Sequence, residues 1–276
     1  MTGKTTTNTA IQNLLLFIAI CMFPIGMLVQ IGSSEAPDSA INIRYISLQN
    51  TADILPLQDT QVSPVAYTDI KSLQQLPVAE KKEKFIAMLL PAILIAKQQL
   101  QDQRLRVEAL LQQTSLTTQE QRWLEQLQQR YKVKDAARLP ARMIAVPNSL
   151  VLAQAAIETG WGSSRFFLQG NNVFGVWSYN PDEPRMKARE SRAGKAVYVK
   201  RYPSLLQAID DYLLTLGRGK PYKDLRQATE TSQNSLILIQ HLQHYSELGQ
   251  EYIQRLSGLI RHNKLQRFDS YQLKQG

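Results

Sequence analysis

The chain has 276 residues, 43% of them hydrophobic and 20% charged, enough for one good core with appendages. Its 32 lysines and arginines against 23 aspartates and glutamates give a net charge of +9, which favours a polyanionic partner. No nucleic-acid-reading element and no basic stretch interleaved with aromatics accompanies that charge, so nucleic acid is set aside, and a single cysteine, Cys21, excludes an intramolecular disulfide.

In chain order, residues 11 to 31 form an apolar run of about bilayer-spanning length behind Lys4. Residues 1–32 are therefore expected to be a signal peptide or membrane anchor, and the chain to be exported, periplasmic or anchored in the inner membrane facing the periplasm. Ser34-Glu35-Ala36 offers a small-x-small cleavage site, while the length of the run and its interruption by Pro24 and Gly26 fit an anchor. Cys21 follows Ile20, a poor context for lipidation.

Residues 33–79 scatter Pro37, Pro56, Pro64 and Pro77 through mixed polar sequence with no sustained period, and read as a flexible linker. Residues 80–138 read as a helical hairpin packing on the domain that follows. Its first helix spans Glu80 to Gln113, with an apolar run from Phe85 to Ala96 and a kink or restart at Pro91. Its second opens with a capping box of Thr117 and Glu120 and places Trp123, Leu127 and Tyr131 on one face.

Residues 139–268 carry the chemistry. Pro147 suits a first helical position, and Val151, Leu152, Ala155 and Ala156 form an apolar stripe that runs into Glu158 and stops at Gly160. From Val176 to Arg201 the helical period vanishes, Gly194 supplies a turn, and Ala196 to Val199 reads as strand, giving a small β-hairpin lobe. Ser204 with Gln207 repeats the capping pattern, and Leu205, Ile209, Tyr212, Leu213 and Leu216 form a buried face ended by Gly217 and Gly219. Further helices follow around Ser235 to Leu242 and Gly249 to Arg261. The fold class is mostly α (α+β).

Glu158 is the lone carboxylate on an otherwise apolar, small-residue helix. Val151, Ala155 and Glu158 are spaced four and three apart, so the carboxyl shares the packed face. Burial, the negative end of the helix dipole and apolar cover from Trp161 all raise its pKa, and a carboxylic acid protonated near neutrality suits leaving-group protonation. The competing reading is an ion pair with a nearby arginine such as Arg165.

Three blocks accompany it: Ala153-Gln-Ala-Ala-Ile-Glu-Thr-Gly-Trp-Gly162, Asn171-Asn-Val-Phe-Gly-Val176, and Tyr202-Pro-Ser204 leading into Ala208-Ile-Asp-Asp-Tyr212. In order and spacing, over roughly Leu139 to Ile260, they resemble the glucosaminidase family of peptidoglycan hydrolases, glycoside hydrolase family 73. The resemblance implies a lysozyme-like domain with Glu158 as general acid ending the central helix beside a cleft, and peptidoglycan glycan strands as the partner. It implies a second carboxylate on the β lobe. Asp182, Glu183 and Glu190 are the candidates there, Glu190 is preferred, and assistance by the substrate's own N-acetyl group stays open. Tyr245 matches a family tyrosine near the acid. Trp161, Asn171, Asn172, Phe174 and Tyr202 are the expected substrate-binding residues.

No cofactor is implied. His241 and His244 lie three apart with His262 further on, but lack an acidic or cysteine partner at metal-binding spacing, so no metal is expected. The leading expectation is hydrolysis of the bond after N-acetylglucosamine. A muramidase or lytic transglycosylase on the same fold is the second, and a catalytically silent, membrane-tethered wall-binding or regulatory protein the third.

Overall fold

The structure, a computed structural model, describes residues 41–192 and 195–274. The expected signal or anchor segment and the hairpin-turn residue Gly194 therefore lie outside the described residues. No described helix is long and apolar enough to cross a membrane.

The elements in chain order are β1 (Arg44–Ser47), β2 (Gln61–Val62), β3 (Val65–Thr68), α1 (Val78–Leu111), α2 (Thr118–Tyr131), α3 (Asn148–Thr159), α4 (Arg165–Gly170), β4 (Arg185–Arg192), β5 (Lys195–Lys200), α5 (Leu205–Arg218), α6 (Lys223–Thr229), α7 (Ser235–Leu238), α8 (Gln250–His262) and β6 (Gln272–Leu273). Three two-stranded sheets accompany the helices: β1 with β3 in parallel, β2 with β6 in parallel, and β4 with β5 antiparallel. The chain is thus mostly helical with small sheets, as its composition of amphipathic stretches predicts.

α1 is the hub. Its residues Phe85 to Ala96 are all buried, on every face of the helix, in one cluster with α3, α5 and α8. A helix apolar all round belongs inside a domain, and this run is too short for a bilayer. Pro91 does not break it: the helix continues for 34 residues. A proline there removes the partner of the Ala87 carbonyl, and burial of the surrounding Leu and Ile side chains, each about 1.5–3 kcal/mol, offsets the cost.

Only the distal half of α1 forms the expected hairpin. There Val107 and Leu110 join Leu124, Leu127 and Tyr131 of α2 in a second cluster. The Thr117–Glu120 capping box is present with both reciprocal hydrogen bonds. Trp123 is half-buried, and the Arg106 guanidinium lies over its ring at 4.3 Å.

The segment expected to be a flexible linker is built into the core from residue 41 onward. Leu48, Ile54, Val62, Val65, Ala66, Tyr67, Ile70 and Leu73 are buried against α1 and its neighbours. Its strands are too short and too broken by proline to show a period, and they gain order by pairing with each other and with β6 at the far end of the chain. Tyr67, fully buried, accepts a hydrogen bond on its Oη from the Leu55 N–H (3.0 Å).

α3 is fixed at both ends. Pro147 precedes it and offers no capping side chain. The free N–H of Ser149 is capped by Asp269 Oδ1 (2.7 Å), and the Ser149 hydroxyl donates to Oδ2 (2.7 Å), so a carboxylate 120 residues away takes the capping role. At the other end Gly160 adopts φ +57°, the left-handed conformation that closes a helix.

Gly217 stands inside α5, which continues to Arg218, so it is not the stop signal expected of it. A Cβ there would meet the Arg142 carbonyl oxygen and the Tyr131 ring. Close passage of α5 over neighbouring backbone, not termination, is what requires glycine.

Candidate active site

Glu158 sits in the last turn of α3 with its side chain half-buried. Burial pushes its carboxyl up to about 7, against a smaller opposing effect from the Tyr252 hydroxyl, which donates to Glu158 Oε1 at 3.1 Å. The direction matches the expectation from spacing along the helix. The competing arginine partner is elsewhere: Arg165 donates to the Lys187 carbonyl (2.8 Å) and lies over the Phe166 ring.

The phenol on Glu158 is Tyr252, not Tyr245. Tyr252 lies on the buried face of α8 with Ile253, Leu256 and Ile260. Tyr245 lies in the turn before α8 and stacks behind Tyr252, ring centroids 5.6 Å apart and planes 11° apart. Position in a motif alone does not distinguish two tyrosines seven residues apart; the α8 periodicity, which places Tyr252 with the core, is the signal that does.

Two further residues complete the chain of polar contacts. Gln154, one helical turn before Glu158 on α3, donates through Nε2 to Tyr252 Oη (3.0 Å) and accepts on Oε1 from Tyr212 Oη (2.5 Å). Gln154, Tyr212 and Tyr252 are all fully buried. The sequence signal was a glutamine on a helix otherwise made of apolar and small residues, since a buried amide must find partners.

The asparagine pair expected to bind sugar builds the loop instead. Asn172 is buried, its Nδ2 donating to the carbonyls of Val176 (3.0 Å) and Lys200 (2.9 Å), while its Oδ1 accepts from the Val176 N–H (3.0 Å). Asn171 closes α4 at φ +49°, and its Nδ2 donates to the Tyr202 carbonyl (2.8 Å). Phe174 is buried and stacks on Tyr212 at 4.0 Å. Amides that satisfy backbone carbonyls in this way join the α4 end to the foot of β5.

Tyr202 is likewise occupied. Its hydroxyl donates to Asp211 Oδ2 (2.7 Å) on α5, which also holds Lys200 Nζ (3.0 Å), with Arg218 at 3.9 Å. Burial alone would push the Asp211 carboxyl up, but Lys200, Tyr202 and Arg218 together hold it below the ordinary range. This cluster pins the foot of the β lobe to the helical body.

Trp161, at φ +58°, packs edge-on against Phe85 of α1 (5.5 Å) with Lys82 Nζ over its ring (5.1 Å). It is half-buried and keeps part of its surface open. Among the lobe carboxylates, Asp182 is exposed, and Glu183 is half-buried with Oε2 3.8 Å from Lys200 Nζ. Glu190 belongs to β4, where the register with β5 slips between Lys187 and Ser191; its side chain lies outside the described residues. Neither burial nor Tyr252 involves a second carboxylate, so the described residues raise the Glu158 pKa without one. No cluster of metal-binding side chains occurs among them.

Residues 134–265 match the family model described as mannosyl-glycoprotein endo-beta-N-acetylglucosaminidase, the glucosaminidase family. This segment is a glucosaminidase-family domain. It contains α3, the β lobe, α5 and α8, and so every residue of the Glu158 chain. The chain is also similar to the peptidoglycan hydrolase FlgJ of Salmonella typhimurium, 34% identical over 113 residues, 37% of this chain and 36% of that protein. The chain thus spans about a third of that relative's length. Protein bax of Escherichia coli is 24% identical over 199 residues, 67% of this chain and 70% of that protein. Among solved structures, the glycoside hydrolase domain of Salmonella typhimurium FlgJ in C-terminally truncated form is 27% identical, covering 51% of this chain and 97% of that one with a TM-score of 0.35.

Proposed function

We propose that this protein is an exported peptidoglycan hydrolase that cleaves the glycosidic bond following N-acetylglucosamine, with Glu158 as the general acid. The observation that carries the reading is a carboxyl in a glucosaminidase-family domain, raised to about 7 by burial and held by a single phenol. Such a group is largely protonated in mildly acidic surroundings, about half protonated at neutrality, and becomes a carboxylate once it has given its proton away.

In the proposed reaction the Glu158 carboxyl proton passes to the glycosidic oxygen as the bond to the anomeric carbon breaks. The carboxylate left behind accepts the Tyr252 hydrogen bond, which stabilises the new charge. The sugar develops oxocarbenium character, and negative charge opposite it comes from Glu190 of β4 or from the substrate's N-acetyl oxygen. Water then bonds through its oxygen to the anomeric carbon and gives its surplus proton to the carboxylate on its side of the sugar, Glu158 or Glu190, leaving a neutral hydroxyl. In this scheme Asn171, Asn172, Phe174 and Tyr202 serve by building the loop and the foot of the lobe, and Trp161 offers a half-open ring to the substrate. Export rests on the apolar run of residues 11 to 31 and on the wall-directed name of the FlgJ relative.

Purified sacculi digested with the protein and analysed by mass spectrometry test the reading. Reducing N-acetylglucosamine ends are expected. Reducing muramic acid ends would make it a muramidase, anhydro-muramyl ends a lytic transglycosylase, and sedimentation with sacculi without release a silent wall-binding protein.

A further inference from the structure

Three fully buried groups and the half-buried Glu158, from three helices, form one directed chain: Tyr212 of α5, Gln154 of α3, Tyr252 of α8 and Glu158 of α3. Three phenols, Tyr212, Tyr245 and Tyr252, interact with the Glu158 charge, all pushed up by burial and so protonated. A protonated phenol has one hydrogen to give. Tyr212 spends its own on Gln154 Oε1, which turns the amide so that Nε2 faces Tyr252. That N–H fills an acceptor site on the Tyr252 oxygen and leaves the Tyr252 hydrogen for Glu158 Oε1.

The opposite sense of the amide has a different result. With Oε1 facing Tyr252, the glutamine takes the Tyr252 hydrogen, and the phenol presents a lone pair to Glu158. A protonated Glu158 then donates to the phenol, and its proton is directed into the protein.

We propose that Gln154 is a positioning residue: set in one sense by Tyr212, it fixes the Tyr252 hydroxyl as donor to Glu158 Oε1 and so keeps the transferable proton on Oε2. This rests on the reading of Glu158 as the acid. Gln154 touches no reacting atom and acts through Tyr252. The chain also explains why a glutamine occupies a fully buried place one turn from the acid, where a leucine would pack as well.

The test is a set of variants of the full chain, Gln154→Met, Tyr212→Phe, Tyr252→Phe and the Gln154→Met/Tyr252→Phe double. Each is assayed for kcat and KM on soluble glycan fragments, and the Glu158 carboxyl is titrated by carbon-13 NMR against a Glu158→Gln blank. For Gln154→Met we expect kcat to fall about tenfold with KM unchanged, and the Glu158 pKa to rise by about one unit as the donor to its carboxylate becomes mobile. Tyr212→Phe, which removes one oxygen and preserves packing, should move both readouts the same way by less. In the Tyr252→Phe background the Gln154 substitution should add nothing further. Unchanged kcat and pKa in folded Gln154→Met or Tyr212→Phe protein, or losses that multiply in the double variant, would overturn the proposal. Full activity in Glu158→Gln would overturn the acid reading instead, and the NMR titration still reports on the orienting chain without turnover.

Discussion

Burial sets the working range of Glu158. A general acid must hold its proton, so activity is expected to decline as pH rises through about 7, the value to which burial pushes the carboxyl. A pH profile of muropeptide release on a fixed substrate checks this. The same shift has a stability consequence. Because the folded-state pKa lies above the ordinary 4.5, the folded chain binds the proton more tightly than the unfolded one between those values. The penalty for ionising Glu158 is therefore absent below about pH 4.5 and fully present above about 7, reaching at most about 3 kcal/mol. Glu158→Gln is expected to raise Tm at pH 8 and leave it nearly unchanged at pH 4, as measured by calorimetry. At this scale the sequence was legible where one residue stood out against its surroundings, as Glu158 does on its apolar helix. It was not legible where roles depend on side-chain orientation: Asn171 and Asn172 have sugar-binding chemistry but are aimed at backbone carbonyls, and Tyr245 and Tyr252 exchange places.

Among the elements, helix starts and faces were readable because capping boxes and apolar periodicity are local. The Thr117 cap and the α5 face follow directly from them. What could not be read locally were features imposed by neighbours. The cap of α3 comes from Asp269, and Gly217 is required by the Arg142 carbonyl passing over α5. Gly217→Ala should consequently destabilise the chain by about 2 kcal/mol or more despite the better helix propensity of alanine, a result that denaturant unfolding would register. A stabilising effect would mean that α5 and the Arg142 backbone can separate without cost.

For the whole molecule, the glucosaminidase segment shares its core with the elements that precede it. Its α3, α5 and α8 close around α1, and the residues from 41 to 73 cover α1 with eight buried apolar side chains. At about 1.5–3 kcal/mol for each large one, their burial is comparable with the 5–15 kcal/mol by which domains are ordinarily stable. A chain beginning at residue 78 is expected to lose its cooperative thermal transition; an unchanged Tm would show that the N-terminal strands are dispensable. The segment reads as linker because its strands are two to four residues long and its partners are distant in sequence, so no window contains the pattern that orders it.

The central claim is that Glu158 delivers the proton that breaks the glycosidic bond. Its most direct test is release of soluble muropeptides from purified sacculi by the Glu158→Gln protein beside the parent chain, with sacculus binding measured in the same samples. Loss of release by at least about 10²-fold with binding retained is the predicted result. Release at the parent rate by a folded Glu158→Gln protein would contradict it.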